Sequence, residues 1–409
     1  MKPFLQLKSV AEVKNLIRQA APVGTEQIGL VAAPGRHIAQ DFVAPYDLPG
    51  FIRSRMDGYA VQASDVFGAS ESSPALLAVT GECAAGALPA RKLGPGQAAA
   101  IVTGAPLPEG ADAVVMVENT RKAGPDQIEI IKPVTPGANL VEADEDAKEG
   151  QTLITAGSRL RAQECGILAS FGIQSLAVFK KPRIAIIATG DEIAPIDSDP
   201  GPCCLRDVNS WSIAAFCDLR GAAPLQLGIA QDDAAALAQK LEQGLARADA
   251  VVMSGGSSAG VRDLTAQAFL SLPDAALLAH GVAMRPGKPF ILAKSGAKYL
   301  LGLPGHVTSA LICCHVFLGP LLSCLQGQPI EPPKPWLPAV MDRSVASAQG
   351  RADYIRCRLK QKEGAFIAQP LRSPSAVLSN LLEADGIVIC PENSEGLAKG
   401  QQVRFYPLG

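Results

Sequence analysis

Residues 253–263 read MSGGSSAGVRD: glycines and serines, with no bulky side chain until the Arg-Asp end, directly after the apolar run DAVV at 249–252. A short apolar run bounded by turn residues reads as a buried strand. The chain therefore leaves a strand into a loop built from the smallest side chains. In an open parallel sheet, ligands bind outside the carboxyl ends of the strands, where such loops gather. Small residues let backbone N–H groups approach an anion, and the N-terminus of a following helix adds partial positive charge. Two further loops share this texture, ATGDEI at 188–193 and GLPGHVTS at 302–309. One Gly-rich loop is ordinarily a turn and nothing more; three at one sheet edge form a candidate anion site.

The surrounding pattern supplies that sheet. From KPRIAIIATGDEI at 181 the sequence repeats strand, loop and helix up to residue 328. RIAIIA, ADAVVMS and KYLLGLP read as strands. NSWSIAAFCDLRG reads as a helix with Asn209 as N-cap and Gly221 as its stop. DDAAALAQKLEQGLARA is a second helix, opened by acids that suit the dipole, and DLTAQAFLSL a third. SALICCHVFLGPLLSCL at 309–325 is short for a membrane span and holds His315 and Pro320, so a buried helix is expected. Strands alternating with helices of this length predict a parallel, doubly wound sheet.

Outside this region the texture changes. MKPFLQLKSVAEVKNLI reads as an amphipathic helix with lysines on its polar side, not as the apolar core of a secretion signal. Residues 49–139 are rich in Gly and Pro with short alternating runs such as AVVMVEN and IEIIKP, which predicts a small β-rich domain. Residues 140–180 give a turn, a strand and a helix that rejoin residues 1–48. EPPKPWLP at 331–338 is a Pro-rich linker. DYIRCRLK, AFIAQPL, DGIVICP and QQVRFYPL then make a closing β-domain over 332–409. The expected fold class is multidomain α/β plus β.

The 409 residues carry a formal charge of -2, and 48% are hydrophobic. That balance excludes disorder and disfavours a nucleic-acid binder, which shows a basic excess or stripe. Ten cysteines include the pairs Cys203-Cys204 and Cys313-Cys314, with no CxxC and no zinc-ligand spacing. Reduced, mostly buried thiols in a cytoplasmic protein are expected, with no membrane and no nucleic acid.

The loops belong to an ordered series: RSRMDGYAV at 53–61, VTGAPLPEGADAVVMVE at 102–118, NLVEADEDAKEG at 139–150, then ATGDEI, DVNS, MSGGSSAGVRD, VAMRPGKP and LGLPGHVTSAL. This series resembles the MoeA family of molybdopterin molybdenumtransferases, also found as one part of gephyrin, over nearly the whole chain. The resemblance implies an elongated, homodimeric subunit with a doubly wound MogA-like α/β domain at 181–328, a small β-rich domain and a C-terminal β-barrel-like domain. It implies a cleft between the β-rich domain of one subunit and the last two domains of the other. The implied reaction takes adenylylated molybdopterin, hydrolyses the adenylate with Mg²⁺, and inserts molybdate or tungstate to give molybdenum cofactor and AMP. A contact with molybdopterin adenylyltransferase is implied as well.

Such a reaction joins two anions and splits a phosphoanhydride, which calls for fixed cations, backbone N–H groups, a divalent metal and carboxylates. By resemblance Asp57, Thr103, Asp146, Glu192 and Asp263 are the catalytic set, with Glu192 and Asp263 at the metal and Asp57 and Asp146 on the facing wall. Gly255, Gly256, Ser257, Ser258, Arg285, Lys288, Pro304, His306, Arg351 and Ser375 are the substrate-binding set, Arg356 matching alongside Arg351. A helix cap or a solvated surface acid is the plain alternative for any one carboxylate, most of all for Asp146 and Asp191. His315 reads as a core or interface histidine. The chain departs from the family at PGHVTSA, where PGNPVSA is common and Val307 replaces a proline; at 257–263; and in lacking Arg and Gly before Glu145-Asp146. A molybdopterin-binding scaffold, a tungstate-preferring paralogue and an adenylyltransferase are the competing functional readings.

Overall fold

The computed structural model describes residues 7–255, 261–328, 335–371 and 379–408. The chain forms two compact units, Asp41–Thr155 and the remainder, Met1–Gln40 with Ala156–Gly409.

The Asp41–Thr155 unit is built on a six-stranded sheet in the order Ala113–Met116, Gly58–Val61, Gln97–Ile101, Ala75–Cys83, Gln127–Ile130, Thr120–Gly124. Its strands are apolar at consecutive positions because both faces are covered. Val61, Ala98 and Val115 enter one core and their neighbours Ala60, Ala99 and Val114 the other, as the two-residue period of a strand requires. Short pairings of Arg53–Ser54 with Leu140–Val141 and of Phe42–Val43 with Thr152–Ile154 fasten the ends of the unit. Gly58 has no room for a side chain, since a Cβ there would lie 1.9 Å from the Val115 carbonyl oxygen.

The larger unit holds a second six-stranded sheet, ordered Ala223–Ala230, Arg183–Thr189, Ala250–Gly255, Lys298–Leu303, Ile291–Ser295, Ala275–His280. The first four strands are parallel, as the alternating pattern predicts. The last two strands are absent from the sequence reading, and the Ile291–Ser295 strand runs antiparallel to Lys298–Leu303. Only Gly296 and Ala297 separate that pair, enough for a hairpin and far too few for a parallel crossover; Gly296 supplies a left-handed φ of 57°. Again the two faces alternate: Ile184, Ile186, Val252 and Leu301 fill one core, while Ala185, Ile187, Val251 and Leu300 fill the other.

Helix boundaries follow local capping. The first helix is Val10–Ile17, shorter than the amphipathic pattern suggests, because Ser9 and Glu12 close a capping box and Lys8 is drawn into a bridge with Val282. The Asn209–Leu219 helix includes Asn209 in its first turn, correcting its assignment as N-cap. Asp207 does the capping, its Oδ1 accepting from the Ser210 N–H at 3.0 Å. Asp233 caps Ala234–Arg247 through the Ala236 N–H at 2.9 Å.

The apolar helix spans Val307–Leu325, two residues longer than its apolar stretch, with a π turn at Cys314–Leu318. It is long and apolar enough to cross a bilayer by composition, but 78% of its most apolar window is buried inside the unit. It is the packing partner of the sheet, with Phe317 stacked on Phe290 and His315 edge-on to Phe216. Leu337–Met341, Ala352–Lys362, Ala365–Pro370, Gly386–Cys390 and Gln402–Pro407 close into a five-stranded barrel, because Ala352–Lys362 pairs with both Ala365–Pro370 and Gly386–Cys390. All ten cysteines are free thiols.

Candidate functional site

Neighbouring strands of the parallel sheet end at the same level: Thr189 pairs with Gly255, and Ser254 with Leu303. ATGDEI, MSGG and GLPG therefore leave the sheet at one carboxyl edge, where the sequence places an anion site. The strands approach closely there. A Cβ on Gly255 would sit 2.0 Å from the Thr189 carbonyl oxygen, so only glycine fits. A small pocket at this edge is lined by Met253, Gly255, Thr265, Pro289, Gly302 and Pro304. Pro289 is the last residue of the RPGKP turn, so that motif joins MSGG and GLPG at the pocket.

Glu192 is exposed on the loop that follows Thr189. Its carboxylate folds back over Gly190, where an added Cβ would lie 2.9 Å from Oε2. Asp232, which the sequence reading missed, belongs to the same edge. Its Oδ1 accepts from the Thr189 hydroxyl at 2.6 Å, and its own N–H donates to Asp191 Oδ1 at 3.3 Å. The available signal was the QDD run just past the Ala223–Ala230 strand. Asn209 of DVNS donates from Nδ2 to the Gly305 carbonyl at 2.8 Å, tying that helix to the PGHV loop. Pro304 is buried and His306 exposed at the N-cap of the long helix. Ser254 Oγ, Asn209 Oδ1, Ser210 Oγ and Thr308 Oγ1 are buried around this end of the sheet with no hydrogen-bond partner among the described residues. Asp263 lies in the first turn of the Val261–Leu270 helix. Gly256, Ser257, Ser258 and Ser375 fall outside the described residues.

Arg285 and Lys288 flank the RPGKP turn, both exposed, and neither makes an ion pair among the described residues. The turn is fixed from two sides. A Cβ on Gly287 would strike Cys313 Sγ at 2.7 Å, and Met284–Arg285 pairs in parallel with Ala352–Asp353 of the barrel. That ladder pairs Arg285 with Asp353, whose Oδ1 lies 2.9 Å from Arg351 Nε in an ion pair. Arg356 does not join them: strand alternation along the regular 353–357 ladder turns it to the opposite face from Asp353. Burial pulls the Arg356 pKa down.

The Asp41–Thr155 unit carries the other set. Asp57 Oδ1 accepts from the Thr103 N–H at 2.7 Å and from its hydroxyl at 2.8 Å. These two bonds, the backbone one first, hold the Asp57 carboxyl below the usual carboxylate range. The loop is held by its neighbours, Ser54 N–H donating to the Ala105 carbonyl at 3.0 Å and Arg55 N–H to Asn139 at 2.8 Å. Asp146 faces Arg53 at 3.6 Å and Glu145 pairs with Arg55. Thus Asp57 and Thr103 form one unit, while Asp146 is an exposed acid balanced by its own arginine.

Among the described residues no three His, Cys, Asp or Glu side chains are grouped as metal ligands. Mg²⁺ is commonly bound through one or two carboxylates together with substrate phosphates and water. The oxygen-only donors at the sheet edge, Glu192 beside Gly190 with Asp191 and Asp232 nearby, suit that mode rather than a closed cage.

Comparison with known proteins matches three successive stretches of the chain. Residues 8–172 match the family described as MoeA N-terminal region (domain I and II). Residues 185–323 match the "Probable molybdopterin binding domain" and 338–408 the MoeA C-terminal region (domain IV). The chain is 33% identical over 413 residues to molybdopterin molybdenumtransferase 2 of Mycobacterium tuberculosis, covering 98% of this chain and 100% of the relative. It is 32% identical over 422 residues to the molybdopterin molybdenumtransferase of a Nostoc species, covering 100% and 95%. The crystal structure of the molybdopterin biosynthesis MoeA protein of Pyrococcus horikoshii superposes with a TM-score of 0.83 at 33% identity, covering 99% of this chain and 100% of the other.

Proposed function

The chain belongs to the MoeA family, and from that premise we propose that it is a molybdopterin molybdenumtransferase that inserts molybdate into adenylylated molybdopterin and releases AMP. The carrying observation is the convergence of Gly255, Pro289 and Pro304 on one pocket at the carboxyl edge of the sheet. Three motifs distant in sequence meet there, with the cations Arg285 and Lys288 on the adjoining turn.

The residues divide the work by their chemistry. Arg285, Lys288 and Arg351 offer positive charge to phosphate or oxyanion, and backbone N–H groups of the small-residue loops would add donors. Asp57 is a poor proton acceptor, because two hydrogen bonds already stabilise its charged form. It is suited to orienting water or a bound cation rather than to abstracting a proton. Glu192 and Asp263 would hold Mg²⁺, which supplies charge neutralisation at a phosphoanhydride. Homodimer formation, cytoplasmic residence, contact with the adenylyltransferase and the four-part division 1–48 with 140–180, 49–139, 181–328 and 332–409 complete the reading.

The test incubates purified protein with adenylylated molybdopterin, Mg²⁺ and either molybdate or tungstate, for the wild type and Asp263→Ala. AMP release with active cofactor, lost in the variant, is expected, and the productive oxyanion names the metal. Well-folded protein that releases no AMP with either oxyanion would sink the transferase reading and leave the scaffold.

A further inference from the structure

We propose that Asp353 is a positioning residue for Arg351, holding that guanidinium by its inner edge so that its outer edge is presented to substrate anion beside Arg285. The inference rests on the reading of Arg285 and Arg351 as anion-binding cations and adds the group that orients one of them.

Asp353 is only 5% exposed. A carboxylate so buried calls for an ionic or hydrogen-bonding partner. Arg351 supplies it side-on, with Nε 2.9 Å from Oδ1 and Nη2 3.4 Å from Oδ2. The closer contact is an ion pair off hydrogen-bond geometry, since neither Nε nor Oδ1 has an aligned partner. Nη1 makes no hydrogen bond or ion pair among the described residues, so one edge of the fork is occupied and the other is open. A guanidinium can be gripped on one edge while presenting the other, which an ammonium cannot do.

The strand ladder fixes where this grip stands. Asp353 is the direct parallel partner of Arg285, and the Ala352 N–H donates to the Ala283 carbonyl at 2.9 Å. The buried acid therefore sits within the strand pairing that joins the barrel to the RPGKP turn. Arg285 and Lys288 have no acid of their own among the described residues. With Arg351 they make three cations, of which only Arg351 is ion-paired among the described residues, a set suited to a multivalent anion such as a diphosphate.

The experiment measures inorganic pyrophosphate binding by calorimetry to full-length wild type, Arg351→Ala, Asp353→Asn and the double variant, with thermal melts of each. Asp353→Asn preserves shape, and Arg351→Lys serves as a second probe that keeps charge but loses the fork. Arg351→Ala, Arg351→Lys and Asp353→Asn are each expected to raise Kd about tenfold, and the double variant to match Arg351→Ala, since two parts of one device do not add. A purely structural Asp353 would lower Tm yet leave Kd of the folded protein unchanged, or give additive effects; either result overturns the proposal. Arg351→Ala binding pyrophosphate like wild type would overturn it as well. Failure of AMP release by a wild type that still shows this coupling would count against the transferase reading alone.

Discussion

Lowering the pH should weaken the larger unit through one buried histidine. His37 is 5% exposed and its Nε2 is 2.8 Å from Gln328 Nε2. Burial, and then the charges of Arg159 and Arg36, push its pKa from an ordinary 6.5 down to about 4. The unfolded chain therefore takes up a proton near pH 6.5 that the folded chain refuses until near pH 4. Stability is fully present above 6.5 and is lost as pH falls through the interval. The interval is worth about 3 kcal/mol at about 1.4 kcal/mol per pH unit, and about 2 kcal/mol of it is gone by pH 5. Urea unfolding at pH 7.5 and 5.0, followed by tryptophan fluorescence, reads this unit selectively, because Trp211 and Trp336, the only two tryptophans, both lie in it. Carboxylates titrate over the same range, so the informative quantity is the wild-type loss minus that of His37→Gln. A difference of about 2 kcal/mol is expected; equal losses in both proteins would refute the reasoning.

Other perturbations test the site and its frame. Thr103→Ala removes the hydroxyl donor to Asp57 while keeping the stronger backbone one, so the acid limb of the pH–rate profile should move upward; an unmoved limb would remove Asp57 from the rate-controlling titration. Gly58→Ala forces a Cβ to 1.9 Å from the Val115 oxygen and should destabilise the Asp41–Thr155 unit by about 3 kcal/mol or more, read as early protease cleavage within 41–155. Val307→Pro restores the common family residue at the first position of a helix, where proline is tolerated. Its Tm should stay within a few degrees of wild type, and a large drop would show that the loop needs the Val307 N–H.

Much of this protein is legible in its sequence, and the exceptions have physical reasons. The parallel strands at 183–189, 250–255 and 298–303 announce themselves as apolar runs opening into small-residue loops. The Ala275–His280 strand does not, because AALLAH lacks β-branched residues and is also half of a helical pattern. Gly255 reads equally well as an anion cradle or a packing necessity, and the 2.0 Å approach to Thr189 shows that packing alone demands it. Asn209 stands where an N-cap belongs, yet a carbonyl of the distant PGHV loop competes for its side chain. Asp353 behind Arg351 gave no local sign, since its meaning lies in strands paired across a long separation, while Asp232 left only the QDD run after its strand. The resemblance of MDGYA with TGAPLP carries the functional residues; composition alone would have stopped at a multidomain α/β plus β protein.

The most direct test of the central claim is a crystal structure of the protein soaked with AMP and Mg²⁺. The phosphate is expected at the carboxyl edge of the parallel sheet, within reach of Gly255, Pro304 and the RPGKP turn. A phosphate held elsewhere, for instance in the groove of Thr80, Glu82 and Arg91 in the Asp41–Thr155 unit, with the sheet edge empty, would contradict the account.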